Sequence, residues 1–258
     1  MHILVCLKQV PRDNSVKINA DLSVNADGIE KIINLFDEYA IEEGIVWNEK
    51  HGGKLTILSL GTDEWVEQIR RALAMGATDS VLLKDPSFAN LDTLAAAKVV
   101  AAAVRKLGDV DLILTGRNST DDESGAFAPA LARTLGWPQL TYVGKVLDVD
   151  AAGKKVTVER HLEAVVETVS AGLPAVVSVI KDINNPRYPS LLKIKKVAKI
   201  SPPVWTAADL GVSGLASATT ITNRVPPPSR PKGEVIDGPD AAAKVKKLVD
   251  KLLENQII

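Results

Sequence analysis

The run Gly116-Arg117-Asn118-Ser119-Thr120-Asp121-Asp122-Glu123-Ser124-Gly125 gathers residue types suited to gripping an anion. Small residues leading into a helix let backbone N–H groups and the positive end of the helix dipole approach a phosphate. Ser119, Thr120 and Ser124 add hydroxyl donors. Asp121, Asp122 and Glu123 would repel a phosphate, so their side chains are expected to point away or to hold the loop. The alternative is a capped helix start behind a polar turn, and the pattern alone is compatible with both.

Autonomous catalysis finds little support elsewhere. Lys8-Gln9-Val10-Pro11 stands after Leu7 where a GxGxxG dinucleotide fingerprint would lie, and no Walker A sequence occurs. The SGGxDS-type loop of ATP pyrophosphatases is missing as well. His2, His51 and His161 are scattered, without a nucleophile or acid in register, and no carboxylate pair has hydrolytic spacing. The single cysteine, Cys6, sits in an apolar run and reads as a small buried hydrophobe. No Cys/His cluster suggests zinc. A second chemical feature is basic: Lys193, Lys195, Lys196 and Lys199 lie beside Tyr188, Leu191 and Leu192. They form either a solvated face or an electrostatic rim that steers an acidic partner onto apolar anchors.

The elements that must position these residues follow from hydrophobic periodicity. Of 258 residues, 46% are hydrophobic and only 4% aromatic, so the core must be aliphatic, as in parallel sheets covered on both faces. The net charge of −1 provides no basic field for nucleic acid. Apolar runs at Ile3 to Leu7, Leu55 to Leu60, Ser80 to Leu83 and Asp111 to Leu114 read as strands. Between them lie helices from about Phe36 to Glu49 with Asn34 as a candidate cap, from Thr62 to Gly76, and from Asp92 to Leu107. Another helix is expected from about Gly125 to Leu135. Repeated βαβ units imply a parallel sheet.

From Gln139 the pattern changes. Leu140 to Val149 and Lys155 to Leu162 read as a hairpin turning at Ala151-Ala152-Gly153; Val165 to Ser170 is a further extended run, and Ala175 to Ile180 returns into the sheet. From Ser201 to about Pro239, including Pro226-Pro227-Pro228, the composition is that of an extended arm, and Asp240 to Glu254 is an amphipathic helix. No run is apolar for long enough to span a bilayer. The opening residues enter a strand without a charged n-region and an apolar h-region, so no signal peptide is expected and a cytoplasmic location is the default.

Several segments in order resemble the β subunit of electron-transfer flavoproteins. They are ILVCLKQVP from Ile3; Asn34-Leu35-Phe36-Asp37-Glu38-Tyr39-Ala40 with Glu42-Glu43; IRRALAMGA from Ile69; the Gly116 loop; LGWPQLTYV from Leu135; Leu173-Pro174-Ala175; and Asn184-Asn185-Pro186-Arg187-Tyr188. The family's signature segment matches at Arg160, Glu163, Glu167 and Pro174, and departs at Ala164 and Val165. The resemblance implies an open, mostly parallel, doubly wound α/β sheet, Rossmann-like or adenine-nucleotide-hydrolase-like, with an antiparallel hairpin and a C-terminal arm ending in a helix. It implies a nucleotide-binding domain over 1–200, with a recognition loop at about 183–199, and an arm and helix over 201–258 docking on a partner subunit.

By position, the resemblance puts nucleotide contacts on Cys6, on Asn34, Leu35, Phe36 and Asp37, on Leu60, and along Gly116 to Gly125 with Ala126 and Phe127. The implied ligand is AMP, or a second FAD as in electron-bifurcating members; Asp92-Thr93 resembles a feature of the latter. Ser124-Gly125-Ala126-Phe127-Ala128 departs from the family's Asn-Gln-Thr-Gly or Thr-Ala-Gln-Val-Gly, which shifts phosphate contacts toward backbone and Ser124. Leu191 corresponds to the anchor for dehydrogenases, ringed by Lys193, Lys195 and Lys196. The implied role is an electron carrier rather than an enzyme. It would pair with an α subunit holding the redox FAD, take electrons from acyl-CoA or other dehydrogenases, and pass them to a membrane quinone oxidoreductase without itself entering the membrane. A universal-stress-type adenine-nucleotide sensor is the rival class, and an adenylating enzyme lacks its phosphate loop.

Overall fold

Alternating side chains commit the first strand to a doubly covered position. β1 (His2–Leu7) is buried throughout. Ile3, Val5 and Leu7 enter one apolar cluster, and Leu4 and Cys6 enter the other. The computed structural model describes residues 1–13, 15–225, 228 and 232–258. After β1 come four short strands: β2 (Gln9–Pro11), β3 (Lys17–Ile18), β4 (Val24–Asn25) and β5 (Lys31–Ile33). The βαβ series continues with α1 (Leu35–His51), β6 (Lys54–Leu60), α2 (Val66–Met75), β7 (Asp79–Leu83), α3 (Thr93–Leu107), β8 (Leu112–Gly116) and α4 (Phe127–Leu135). An extended group follows: β9 (Gln139–Asp150), β10 (Lys155–His161), β11 (Val166–Gly172) and β12 (Ala175–Val179). Last come α5 (Leu191–Val197), β13 (Val204–Trp205), α6 (Ala207–Leu210) and α7 (Ala241–Glu254).

Among the described residues, nine strands form one sheet in the order β11-β10-β9-β12-β8-β1-β6-β7-β13. All neighbours from β9 to β13 are parallel, while β10 and β11 add antiparallel. Helices α1 and α2 cover one face, and α3 and α4 the other. The chain steps from β1 to β6 and β7, then returns through α3 to place β8 on the opposite side of β1. That reversal opens a crevice at the carboxyl ends of the strands, where open α/β sheets bind ligands. Among the described residues, no helix is long and apolar enough to cross a membrane.

Some local expectations are corrected. Between β1 and α1, where no strand is read from the sequence, lie the two-stranded ribbons β2–β5 and β3–β4, whose strands of two or three residues are too short to show a period. Asn14 lies outside the described residues. Asn34 precedes α1 without capping it through its side chain, and Thr62 makes no side-chain cap; a 3-10 turn, Asp63–Trp65, comes before α2. The helix expected from about Gly125 begins at Phe127. The lysine-rich stretch after Ser190 is helical, with the Ser190 side chain accepting from Lys193 N–H.

The first part of the run from Ser201 belongs to the body. β13 pairs with β7, Thr206 and Asp209 form a capping box for α6, and Trp205, Leu210 and Val212 pack on the α3–α4 cluster. One compact unit spans Met1–Thr222. A second unit, Asn223–Ile258, contains α7, which Asp240 caps by accepting from Ala243 N–H. Lys244 pairs with Asp237 at 3.3 Å, and Lys251 pairs with Glu234, within that unit. Pro226 and Pro227 of the expected arm lie outside the described residues.

Candidate functional site

The crevice contains a cavity of about 490 Å³, within the range of roughly 300–1,000 Å³ usual for small-molecule sites. Its floor is the carboxyl ends of three strands: Cys6 and Leu7 of β1, Leu58 and Leu60 of β6, and Thr115 and Gly116 of β8. Toward β6 and β7 the wall is largely apolar, with Trp65, Phe88, Leu91 and Val100. Toward β8 it is polar, with Lys8, Asn34, Arg117, Asn118, Ser119, Asp122 and Ser124. One end therefore suits a ring and the other an anion or sugar.

Two side chains at the start of α1 hold the polar end together. The buried Asp37 carboxylate accepts Lys8 N–H at 2.8 Å and Gly116 N–H at 3.1 Å, tying the ends of β1 and β8 to one helix turn. Burial pushes its pKa up to about 7, against the opposing pull of these N–H groups, Asn34 and the Lys8 charge. Asn34 is 1% exposed. Its Nδ2 donates to Asn118 O at 2.9 Å, and its Oδ1 accepts Thr120 N–H at 3.1 Å. The side chain thus satisfies loop backbone in place of helix backbone.

Lys8 reaches over the loop from the end of β1. Its Nζ donates to Asp121 Oδ1 at 2.6 Å and Ser119 Oγ at 3.1 Å, and lies 3.9 Å from Asp122. Asp121 and Asp122 therefore hold the loop. Arg117 lies over the rings of Phe36, at 5.9 Å, and Tyr142, at 5.2 Å. Its Nε bonds Asn118 Oδ1 at 3.1 Å. Its terminal nitrogens make no hydrogen bond among the described residues, so they remain available donors. The Cys6 thiol is pushed up by burial and by the Asp37 charge, which keeps it protonated and inert.

At Gly116 the backbone passes close against the first turn of α1. A Cβ there would lie 2.5 Å from Phe36 Cβ, 2.6 Å from Asp37 Oδ1 and 2.8 Å from the Phe36 backbone carbon. Gly116→Ala is expected to destabilise the protein by about 1–3 kcal/mol, since backbone must yield. A fall in the urea midpoint with an unchanged m-value would show it.

A match to the electron transfer flavoprotein domain spans residues 21–210. The chain belongs to that family. It is 38% identical, over an alignment of 269 residues covering 100% of both chains, to the electron transfer flavoprotein subunit beta of Thermoanaerobacterium thermosaccharolyticum. It is 35% identical over 239 residues to Protein FixA of Azorhizobium caulinodans, covering 89% of this chain and 85% of that one. To the caffeyl-CoA reductase-Etf complex subunit CarD of Acetobacterium woodii it is 34% identical over 265 residues, covering 100% of both. The chain is a β-type member of the electron transfer flavoprotein family.

Of the residues that the family resemblance singled out, Cys6, Asn34, Asp37, Leu60, Gly116, Arg117, Asn118 and Ser119 line the cavity, as do Asp122, Ser124, Gly125 and Phe127. Leu35 and Phe36 lie instead on a second cavity of about 290 Å³, with Tyr39, Arg71 and Tyr188. Thr120 and Asp121 brace the loop, Ala126 N–H bonds Ser124 Oγ at 3.4 Å, and the exposed Glu123 adopts a φ of 53°. Sequence reasoning missed Lys8, Trp65, Phe88, Asn90 and Leu91 as wall residues. Each follows the end of a parallel strand, the one signal that could have flagged them.

The family's Asn184-to-Tyr188 segment is fastened to the middle of α1. Arg187 Nε and Nη2 bond the buried Glu42 at 2.9–3.0 Å, its terminal nitrogens reach Glu49 at 2.6 and 3.1 Å, and its backbone N–H also donates to Glu42. These two carboxylates hold the Arg187 guanidinium even further above its ordinary pKa. Asn184 Nδ2 bonds Glu43 at 2.9 Å and Tyr39 O at 3.0 Å. Beyond this clamp, Tyr188, Leu191 and Leu192 are 92%, 77% and 81% exposed, with Lys195 and Lys196 exposed alongside them on α5. Lys193 Nζ turns back to Met75 O at 3.4 Å.

Proposed function

We propose that the chain is the nucleotide-holding and partner-docking half of an electron-transfer flavoprotein heterodimer. The observation that carries this reading is the cavity at the strand-order reversal, apolar at one end and rich in donors at the other. Leu58, Leu60 and Phe88 suit an adenine, while Arg117, Ser119, Ser124 and the backbone near Gly125 suit a phosphate. The redox FAD of the complex, held mainly by the α subunit, would supply the electron-accepting ring. This chain's residues bind the nucleotide, fix the loop through Asn34, Asp37 and Lys8, and present the docking segment.

AMP is the proposed occupant. A second FAD is the alternative reading, and Thr93 favours it, since this residue of the Asp92-Thr93 pair lies in the cavity wall. The two are separated by the flavin-to-AMP ratio of the purified heterodimer: one flavin with one AMP supports the first, and two flavins without AMP support the second. A colourless homodimer would overturn the heterodimer itself.

The exposed Tyr188, Leu191 and Leu192 beside lysines suit an apolar contact within an acidic rim on a dehydrogenase, with a membrane quinone oxidoreductase as the onward acceptor. Leu191→Ala is expected to slow reduction of the complex by its dehydrogenase roughly tenfold or more, as loss of a central anchor does. Flavin content should stay unchanged. Full electron-transfer rates in that variant would sink the docking assignment.

A further inference from the structure

Three of the four tryptophans are explained by packing. Trp47 Nε1 donates to Glu43 at 2.8 Å and its ring stacks on His51; Trp205 lies beneath Lys106; Trp137 packs on the α3–α4 cluster. Trp65 also packs one side against the α1–α2 cluster, but of the four it alone lines the large cavity among the described residues. It is half-buried, and its indole N–H has no hydrogen-bond partner among the described residues.

Its position is also set with care by its surroundings. A Cβ on Gly61 would lie 2.2 Å from the indole Cδ2 and 2.5 Å from Cε2, so the ring rests directly on glycine backbone. The turn beneath it is pinned at several points. Gly61 N–H bonds Leu83 O at 3.0 Å, Trp65 N–H bonds Thr62 O at 3.1 Å, and Asp63 pairs with Lys84 at 2.5 Å. The turn that carries this aromatic surface is thus fixed, and the ring lines the cavity with Leu60 and Phe88; Trp65 follows β6 and the Gly116 loop follows β8, which flank β1 on opposite sides.

We infer that Trp65, seated on Gly61, is the wall against which the heteroaromatic base of the bound nucleotide packs, making it a specificity-determining residue for the ring rather than for the phosphate. This rests on the adenine-nucleotide reading of the cavity. A preoriented indole loses little rotamer freedom on binding, and ring-on-ring contact is favourable for any planar base. The donors near Ser119 and Ser124 would then take the other end of the ligand.

The test compares AMP with ribose 5-phosphate, which lacks the base, as probes of the full chain dialysed free of nucleotide. Trp65→Ala is expected to weaken AMP about tenfold, and Trp65→Phe, which keeps a ring, less than about threefold. Ribose 5-phosphate should bind wild type and both variants alike. Tryptophan emission should fall on AMP addition in wild type and stay unchanged in Trp65→Phe, a readout that survives if the Ala variant folds poorly. AMP binding by wild type that Trp65→Ala leaves unaltered overturns the role of Trp65 and spares the nucleotide site. Equal loss of both ligands in a folded Trp65→Ala overturns it too. A wild-type chain that binds no AMP overturns the site and the inference together.

Discussion

Asp37→Ala is expected to lower the unfolding free energy by about 2–6 kcal/mol, since it strips the buried acceptor from two partly buried N–H groups worth about 1–3 kcal/mol each. Those donors, on Lys8 and Gly116, lie at the ends of adjacent parallel strands, so the loss also frees the Gly116 loop. The pH dependence identifies the cause. Burial raises the folded pKa of Asp37 from 3.8 to about 7. A raised carboxyl pKa means the folded state holds the proton more tightly, so this contribution is fully present below the unfolded pKa and is lost as pH rises through about 7. Urea unfolding of wild type and Asp37→Asn at pH 5 and pH 8 checks the sign. The advantage of wild type should be larger at pH 5, and an equal advantage at both would show an ordinary carboxylate.

Arg187→Met should destabilise the protein by about 2–4 kcal/mol, because it leaves Glu42 as a buried charge without its partner. The Glu42 side chain is only 7% exposed, whereas that of Arg187 is 32% exposed, which keeps the figure below that of a wholly buried pair. In a domain of this size the loss corresponds to a fall in Tm of roughly 5–15 °C. Adding Glu42→Leu should restore part of it, since an apolar pair replaces an orphaned charge. If the double variant is no more stable than Arg187→Met, the desolvation argument fails. The same clamp holds the stretch leading to Leu191 against α1, so under the docking role proposed for Leu191, Arg187→Met should also slow electron transfer from a dehydrogenase.

Much of this architecture was legible in the chain. The apolar runs at Ile3 and Leu55 and the return at Ala175, apolar but for Ser178, read as buried parallel strands because both faces are covered. Asp92 and Asp240 announced their helices by the cap chemistry they perform. Asn34 is the instructive exception. Its type and place suited a cap, yet its amide bonds a loop 84 residues on, and no local rule chooses between two such partners. The ribbons β2–β5 and β3–β4 and the two-residue β13 carried too few residues for any pattern.

The Gly116 loop was visible as a candidate anion site from small residues ahead of a helix, a property of consecutive positions. The cavity it borders was not. Lys8, Trp65, Phe88 and Arg117 follow four different strands, and they meet only because the order of strands reverses at β1. Periodicity and turn chemistry are local, so the sequence by itself determined the long strands and helices, their covered faces and the family. Which strand ends become neighbours depends on long-range pairing, so the tertiary structure alone decided which side chains share a wall, and why the loop's acidic residues face Lys8.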